Sequence, residues 1–213
     1  MGLAVTNGTH SRIIAKTAKA ELDSLGFRQK GRSRLWVADR GSWLNLVEFT
    51  PSRWSTSVSL INAAHWLWLG AGFTSFNESI SSNCQVEFET EGQFGAEVVE
   101  LARTARVNAS VIDERFSSFE AIAGFVVERA RGSPERMAPS WWGYEAGVAS
   151  ALVGRFDEAA RFLHGLTDDR VIGRAAALLP LLADPEAFKR KVNEVVAQER
   201  ERLNLQPLDG AAF

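Results

Sequence analysis

His65 and Glu48 are the residue types in this chain best suited to proton transfer. A histidine beside a carboxylate is the minimum set for general acid–base chemistry. Both fall in segments that read as strands, so one sheet face can carry the pair. No third residue completes a constellation around them. A second candidate is a basic stripe. Arg28, Lys30, Arg32 and Arg34 recur at every second position, with Trp36 next in line. On a continuous strand all five side chains share a face, which would bind an anion with an aromatic stacking partner. Gly31 threatens that continuity, and Glu87, Glu89 and Glu91 offer the stripe a purely structural partner. Arg53 and Trp54 lie in the polar stretch 52–56, where an aromatic has no evident packing role, and they read as contact residues for a partner. Trp141 and Trp142 read as core residues, because adjacent tryptophans cannot both face solvent cheaply.

Other chemistries find no motif. No cysteine pair or His-x-x-x-His offers metal ligands, so no metal site is expected. Gly70-x-Gly72 lacks a third glycine and follows Trp-Leu, which is not a dinucleotide fingerprint, and neither a Walker sequence nor a Gly-x-Ser-x-Gly elbow occurs. No cofactor is expected. The residue pattern leans away from an enzyme and toward a non-enzymatic binding module that recognises a protein partner. An enzyme acting on a small anionic or nucleotide-like substrate, and a weak nucleic-acid binder, are the alternatives.

Charge and composition bound these readings. Of the ionisable side chains, residues 1–83 hold nine Lys or Arg against five Asp or Glu, and residues 84–213 hold fifteen against twenty-one. Neither half has the basic density of a dedicated nucleic-acid binder. Hydrophobic residues make up 46% of the 213 and charged residues 23%, an ordinary globular balance with enough length for a real core. No apolar run approaches the ~20 residues that span a bilayer, so no membrane partner is expected. The opening MGLAVTNGTH lacks a basic region followed by an apolar stretch, and Cys84 is the only cysteine, which together suit a reducing cytoplasm. Arg heavily outnumbers Lys, as in GC-rich bacteria.

Hydrophobic spacing places the elements that must carry these residues. Ile14, Ala18, Leu22 and Leu25 predict a helix over about 10–25, stopped by Gly26. Strands follow at 35–37, 43–50 and 57–69, then a loop over 73–83 and a fourth strand near 86–91. After Gly95 the spacing is helical. Ser117 with Glu120 suggests a capping box, and further helices are expected at about 141–153 and 157–165. Asp168 is expected to cap another helix, with a break at Pro180. Asp184-Pro185 opens the last helix, and residues from Gln206 on are expected to fray. Strands and helices segregate rather than alternate. The expected class is therefore α+β: an N-terminal helix and an antiparallel four-stranded sheet (1–91) with a helical C-terminal part (92–213), the two sharing one core.

The stretch Leu22-Asp23-Ser24-Leu25-Gly26-Phe27-Arg28-Gln29-Lys30-Gly31-Arg32, followed by an aromatic strand, resembles the opening of the bacterial domain-of-unknown-function family 4304. The resemblance covers roughly residues 10–90 and implies a helix, a hairpin and a further strand carrying an Asn, here Asn62. Glu48 stands near a position where the family has Gln. The resemblance implies an α+β fold and no activity, with an accessory or immunity-type role as a hint. Separately, Leu152 to Leu163 resembles the turn of a tetratricopeptide hairpin. Only one such unit is present where a solenoid needs about three, so a single packed helical hairpin is expected.

Overall fold

A computed structural model describes residues 2–52 and 55–213, with side chains from residue 8 onward and without that of Asn83. It is an α+β protein with the sheet in the N-terminal part and most helices in the C-terminal part. The chain divides into two compact units. One holds the residues up to Trp66 together with Phe73–Glu114, and the other holds Leu67–Gly72 with Arg115–Phe213.

In the first unit, α1 (Gly2–Leu22) runs into a 3-10 turn at Asp23–Leu25. Gly26 ends it with φ +82°, its N–H donating to Asp23 O at 3.1 Å, a left-handed conformation that a Cβ would strain. Five strands follow as an antiparallel meander in sequence order: β1 (Arg28–Gln29), β2 (Leu35–Asp39), β3 (Trp43–Pro51), β4 (Val58–Trp66) and β5 (Glu78–Val86). Helix α2 (Glu91–Arg115) closes the unit.

Register fixes which side chains meet. Trp36 lies opposite Val47, Phe49 opposite Leu60, and Val58 opposite Val86. These residues share one face, and they form a single core with Ile14, Ala18 and Leu22 of α1 and Phe94, Val98, Leu101, Ala102, Ala105 and Ala109 of α2. Each fully buried side chain of Leu or Phe size contributes ~1.5–3 kcal/mol of apolar transfer, so this face is the main source of stability in the unit.

Two expectations about the sheet are corrected. It has five strands rather than four, because the Arg28–Gln29 segment pairs with Trp36 and Val37. The fourth long strand covers Glu78–Val86, most of which reads as loop in the sequence, while residues 87–90 link it to α2. A Ser- and Asn-rich run has little strand propensity of its own; the ladder with β4 supplies the order. Between Ser59↔Gln85 and Ile61↔Ser81, two steps on β4 face four on β5, so β5 bulges there, and the exposed Cys84 lies in the bulge. β4 itself stops at Trp66, and Leu67–Leu69 form a 3-10 turn.

The second unit is built around α5 (Trp141–Leu152). Its other helices are α3 (Phe119–Gly132), α4 (Pro134–Met137), α6 (Phe156–His164), α7 (Asp169–Leu178) and α8 (Pro185–Arg202). Every residue of α5 from Gly143 to Leu152 is buried, including Glu145. A helix buried on all sides needs small residues where neighbours cross closely. A Cβ on Gly143 would stand 2.6 Å from Met137 O, and one on Gly147 2.6 Å from Leu163 Cδ2. The packed hairpin of α5 and α6 thus depends on Gly147.

Most helix ends fall where their chemistry predicts. Asp168 Oδ1 accepts from Arg170 N–H, Asp184 Oδ1 accepts from the N–H groups of Glu186 and Ala187, and Pro180 lies in a 3-10 segment, Leu179–Ala183, that interrupts the chain before α8. The α3 cap is Ser118 rather than Ser117: its backbone is extended, and its Oγ accepts from Ala121 N–H at 3.2 Å. The residues after Gln206 do not fray. They are tied to α8 by side-chain hydrogen bonds to their backbone.

Candidate functional site

The structure separates His65 from Glu48. Leu44 lies opposite His65, and Ile61 lies opposite Glu48. The two share a sheet face but stand four positions apart along it, roughly 13 Å at the usual strand rise. They do not form an acid–base pair. His65 is fully buried, and its Nδ1 accepts from Ser75 N–H at 3.3 Å and lies 3.0 Å from Ser75 Oγ. Ser75 Oγ donates to Asn77 Oδ1, which also accepts from Trp66 N–H. This chain of bonds fastens the segment between β4 and β5.

The basic stripe is broken. Gly31 takes φ +58°, Ser33 N–H donates to Lys30 O at 3.1 Å, and Lys30 N–H donates to Leu35 O at 2.9 Å, so residues 31–34 turn the chain between β1 and β2. Arg28 pairs with Asp23 at 2.6 Å, Arg32 is exposed in the turn, and Arg34 donates to Ser11 Oγ at 3.4 Å. Trp36 lies opposite Gln29 and is only 3% exposed, so it belongs to the core and stacks no ligand. Arg53 and Trp54 lie outside the described residues.

Other buried polar groups of the first unit anchor α2. Asn45 and Asn62 are diagonal neighbours on the core face and donate, both at 2.9 Å, to Ala109 O and Ala105 O, one helical turn apart. The alanines at 102, 105 and 109 keep the helix close enough for an Asn to reach its backbone. Arg40 forks onto Asp113 through Nε at 2.8 Å and Nη2 at 2.6 Å, and it also donates to Leu25 O. These groups fix helix to sheet and leave little donor capacity for a ligand.

His10 of α1 is buried between Phe88 and Phe94, with ring centroids 4.1 and 4.8 Å away, and its Nε2 finds no hydrogen-bond partner among the described residues. Burial pushes its pKa below the ordinary 6.5, and the Arg34 charge pushes the same way. The unfolded chain therefore takes up the proton first as pH falls, and stability is lost on acidification from about pH 6.5 downward. Denaturant midpoints measured at about pH 7.5 and about pH 5.5 should fall more steeply for the wild type than for His10→Phe; parallel slopes would refute this assignment.

In the second unit, aromatic rings and guanidinium groups alternate. Arg115 lies over Phe125 (5.9 Å to the ring centre), Arg129 over Phe125 (5.3 Å) and over Trp142 (4.7 Å), and Arg136 over Trp142 (5.7 Å). Local rules build the pieces. Phe125 and Arg129 are four apart on α3 and so share a face. Trp142 sits in the first turn of α5, where Ser140 Oγ accepts its N–H at 3.2 Å. Glu145, three residues on, is 2% exposed and forms an ion pair with Arg129, whose side chain is 13% exposed. The carboxylate thus fixes the one guanidinium that contacts both rings. Arg136 is open to solvent, with a side chain 70% exposed and Glu135 4.0 Å away. On the residue preceding Trp142, Arg174 lies over the Trp141 ring, and Tyr144, buried, has its pKa pushed up to about 12 by desolvation, against a smaller lowering by Arg174.

The ladder of Arg115, Phe125, Arg129, Trp142 and Arg136 brings two partly exposed rings together with guanidinium donors. Such a surface stacks on planar or apolar groups and pairs with carboxylates at its margin. Trp141 and Trp142 are half-buried rather than core. The spacing of Phe125 with Arg129 and of Trp142 with Glu145 is visible in the sequence, but the pairing of α3 with α5 that joins them is not. Among the described residues, no group of three or more His, Cys, Asp or Glu could hold a metal ion, and no helix is long and apolar enough to cross a membrane. No family model matches the chain, and neither a curated protein nor a solved structure matches it significantly.

Proposed function

We propose that the protein is a binding module that recognises a protein partner through the arginine–aromatic ladder of its helical unit. The observation that carries the reading is Trp142, half-buried with the guanidinium groups of Arg129 and Arg136 over its ring. Trp and Arg dominate binding hot spots, because a fixed indole and a planar guanidinium offer large contact area at low entropic cost. Glu145 pre-organises Arg129, which lowers the ordering cost of binding. The resemblance of residues 22–36 to the family of unknown function adds the hint of an accessory or immunity-type role.

Arg136→Glu tests the proposal without touching buried structure. A partner retained by the wild-type chain in an affinity pull-down from the native cell should be recovered at least about tenfold less by the variant, at unchanged melting temperature. Equal recovery would count against the ladder. The same variant addresses capture of a small anion, suggested by the exposure of Arg136. That reading requires a wild-type melting shift with inorganic phosphate or nucleotides that Arg136→Glu abolishes.

A further inference from the structure

The last helix, α8, ends in a turn that reverses the chain. Asn204 takes φ +56°, its N–H donates to Glu201 O at 3.0 Å, and Leu205 N–H donates to Arg200 O at 2.9 Å. This is a Schellman motif with Asn in the left-handed position, and it sends residues 205–213 back along α8. They form neither helix nor strand. Their backbone groups are met by side chains of α8. Arg200, 4% exposed, donates Nε and Nη2 to Gln206 O at 2.9 and 2.5 Å. Asn193 Oδ1 accepts from the N–H groups of Ala212 (2.9 Å) and Phe213 (3.2 Å), while its Nδ2 donates to Phe213 O at 3.2 Å. The Phe213 ring meets Phe119 edge-on at 4.6 Å. Helix and segment together line an open groove of about 720 Å³, with Val196, Ala197, Leu205, Pro207 and Leu208 among its walls.

The segment is therefore held as a bound peptide is held. The helix reads its main chain through one amide and one guanidinium, one aromatic side chain anchors it, and an open groove runs along the two. Contacts to main-chain groups are indifferent to most side chains, so another extended segment with an aromatic at the anchor position meets the same donors and acceptors. We propose that the face of α8 bearing Asn193 and Arg200 is a recognition site for an extended peptide of small and apolar residues carrying an aromatic anchor, and that residues 205–213 occupy it in cis. The site is separate from the arginine–aromatic ladder and does not depend on it. A tethered segment competes at an effective concentration in the millimolar range for a short linker, so a peptide in trans gains access when the cis anchor is weakened.

The test uses the full chain and a fluorescent peptide of sequence LQPLDGAAF, matching Leu205–Phe213, followed by anisotropy. Phe213→Ala, which removes the cis anchor, should bind the peptide saturably and at least tenfold more tightly than the wild type does. Adding Asn193→Ala to that variant should abolish the gain. In hydrogen exchange, the Ala212 and Phe213 amides should lose protection in Asn193→Ala while the amides of α5 keep theirs. Equal peptide binding by wild type and Phe213→Ala, or binding by neither, would overturn the proposal. So would failure of Phe213→Ala to fold, which would make the segment a fixed part of the helical unit.

Discussion

Glu145→Ala is expected to destabilise the helical unit by about 3 kcal/mol. Removing one member of a buried ion pair leaves the other charge desolvated, at a typical cost of ~3–5 kcal/mol. The lower end applies because the Arg129 side chain keeps 13% of its exposure and can turn partly to water. For a chain of this size the loss corresponds to a melting temperature roughly 6–12 °C lower. The double replacement Arg129→Met with Glu145→Leu should recover most of it, because apolar residues of similar volume need no compensating charge. A melting temperature for Glu145→Ala within about 2 °C of wild type would show that water already solvates Arg129. The pair also tests the ladder. With Glu145 gone, Arg129 loses the carboxylate that fixes it against Trp142, so partner binding should weaken even at temperatures where the fold persists.

Phe94→Ala carries an effect at least as large in the sheet unit. Phe94 is fully buried, packs edge-on to Phe88 at 5.2 Å and stacks on His10 at 4.8 Å. Truncating a buried Phe typically costs ~3–5 kcal/mol, through lost transfer energy and the cavity left behind. Urea denaturation should show the midpoint falling with little change in slope. A second consequence separates this from generic core damage. The cavity admits water to His10, so the acid-dependent loss of stability between about pH 6.5 and 5 should shrink in the variant. A destabilised protein with an unaltered pH slope would mean that His10 is already solvated in the native state.

Much of the fold is legible in the sequence because local chemistry decides it. Gly26 in the left-handed region and Asp168 and Asp184 as caps each act within a few positions, and each appears where its type predicts. The segregation of strands from helices follows the change of hydrophobic period and holds. What stays hidden depends on partners distant in sequence. Ser79, Ser81 and Ser82 favour no strand, and only pairing with β4 makes β5. Arg28, Lys30, Arg32 and Arg34 keep a strand period through a segment that Gly31 folds into a turn, because alternation alone cannot reveal a reversal. Asn204 in a left-handed cap is likewise unreadable without the bonds that surround it.

The candidate site divides in the same way. His65 and Glu48 are rightly placed on neighbouring strands, but register is set by the whole meander, and it puts Leu44 rather than Glu48 across from His65. Trp36 looks like a ligand platform beside four cations, yet its face of β2 is the core face. The ladder draws on α3, α4 and α5 together with Arg115 at the end of α2, and in the sequence each arginine by itself reads as an ordinary charged residue.

The irregular stretch of β5 has a consequence for the protein in a crowded solution. A nine-residue strand at the margin of a sheet is a template on which further chains can add, the first step toward fibrils. Four steps against two across Ser59–Ile61 break the regular spacing of outward amides and carbonyls, so a straight incoming strand meets only part of the row in phase. The first unit thereby guards its open flank by geometry where other sheets use lysine or proline. Straightening β5 by deleting two residues of the irregular stretch would trade that guard for a longer, better-ordered margin and a protein more prone to aggregate.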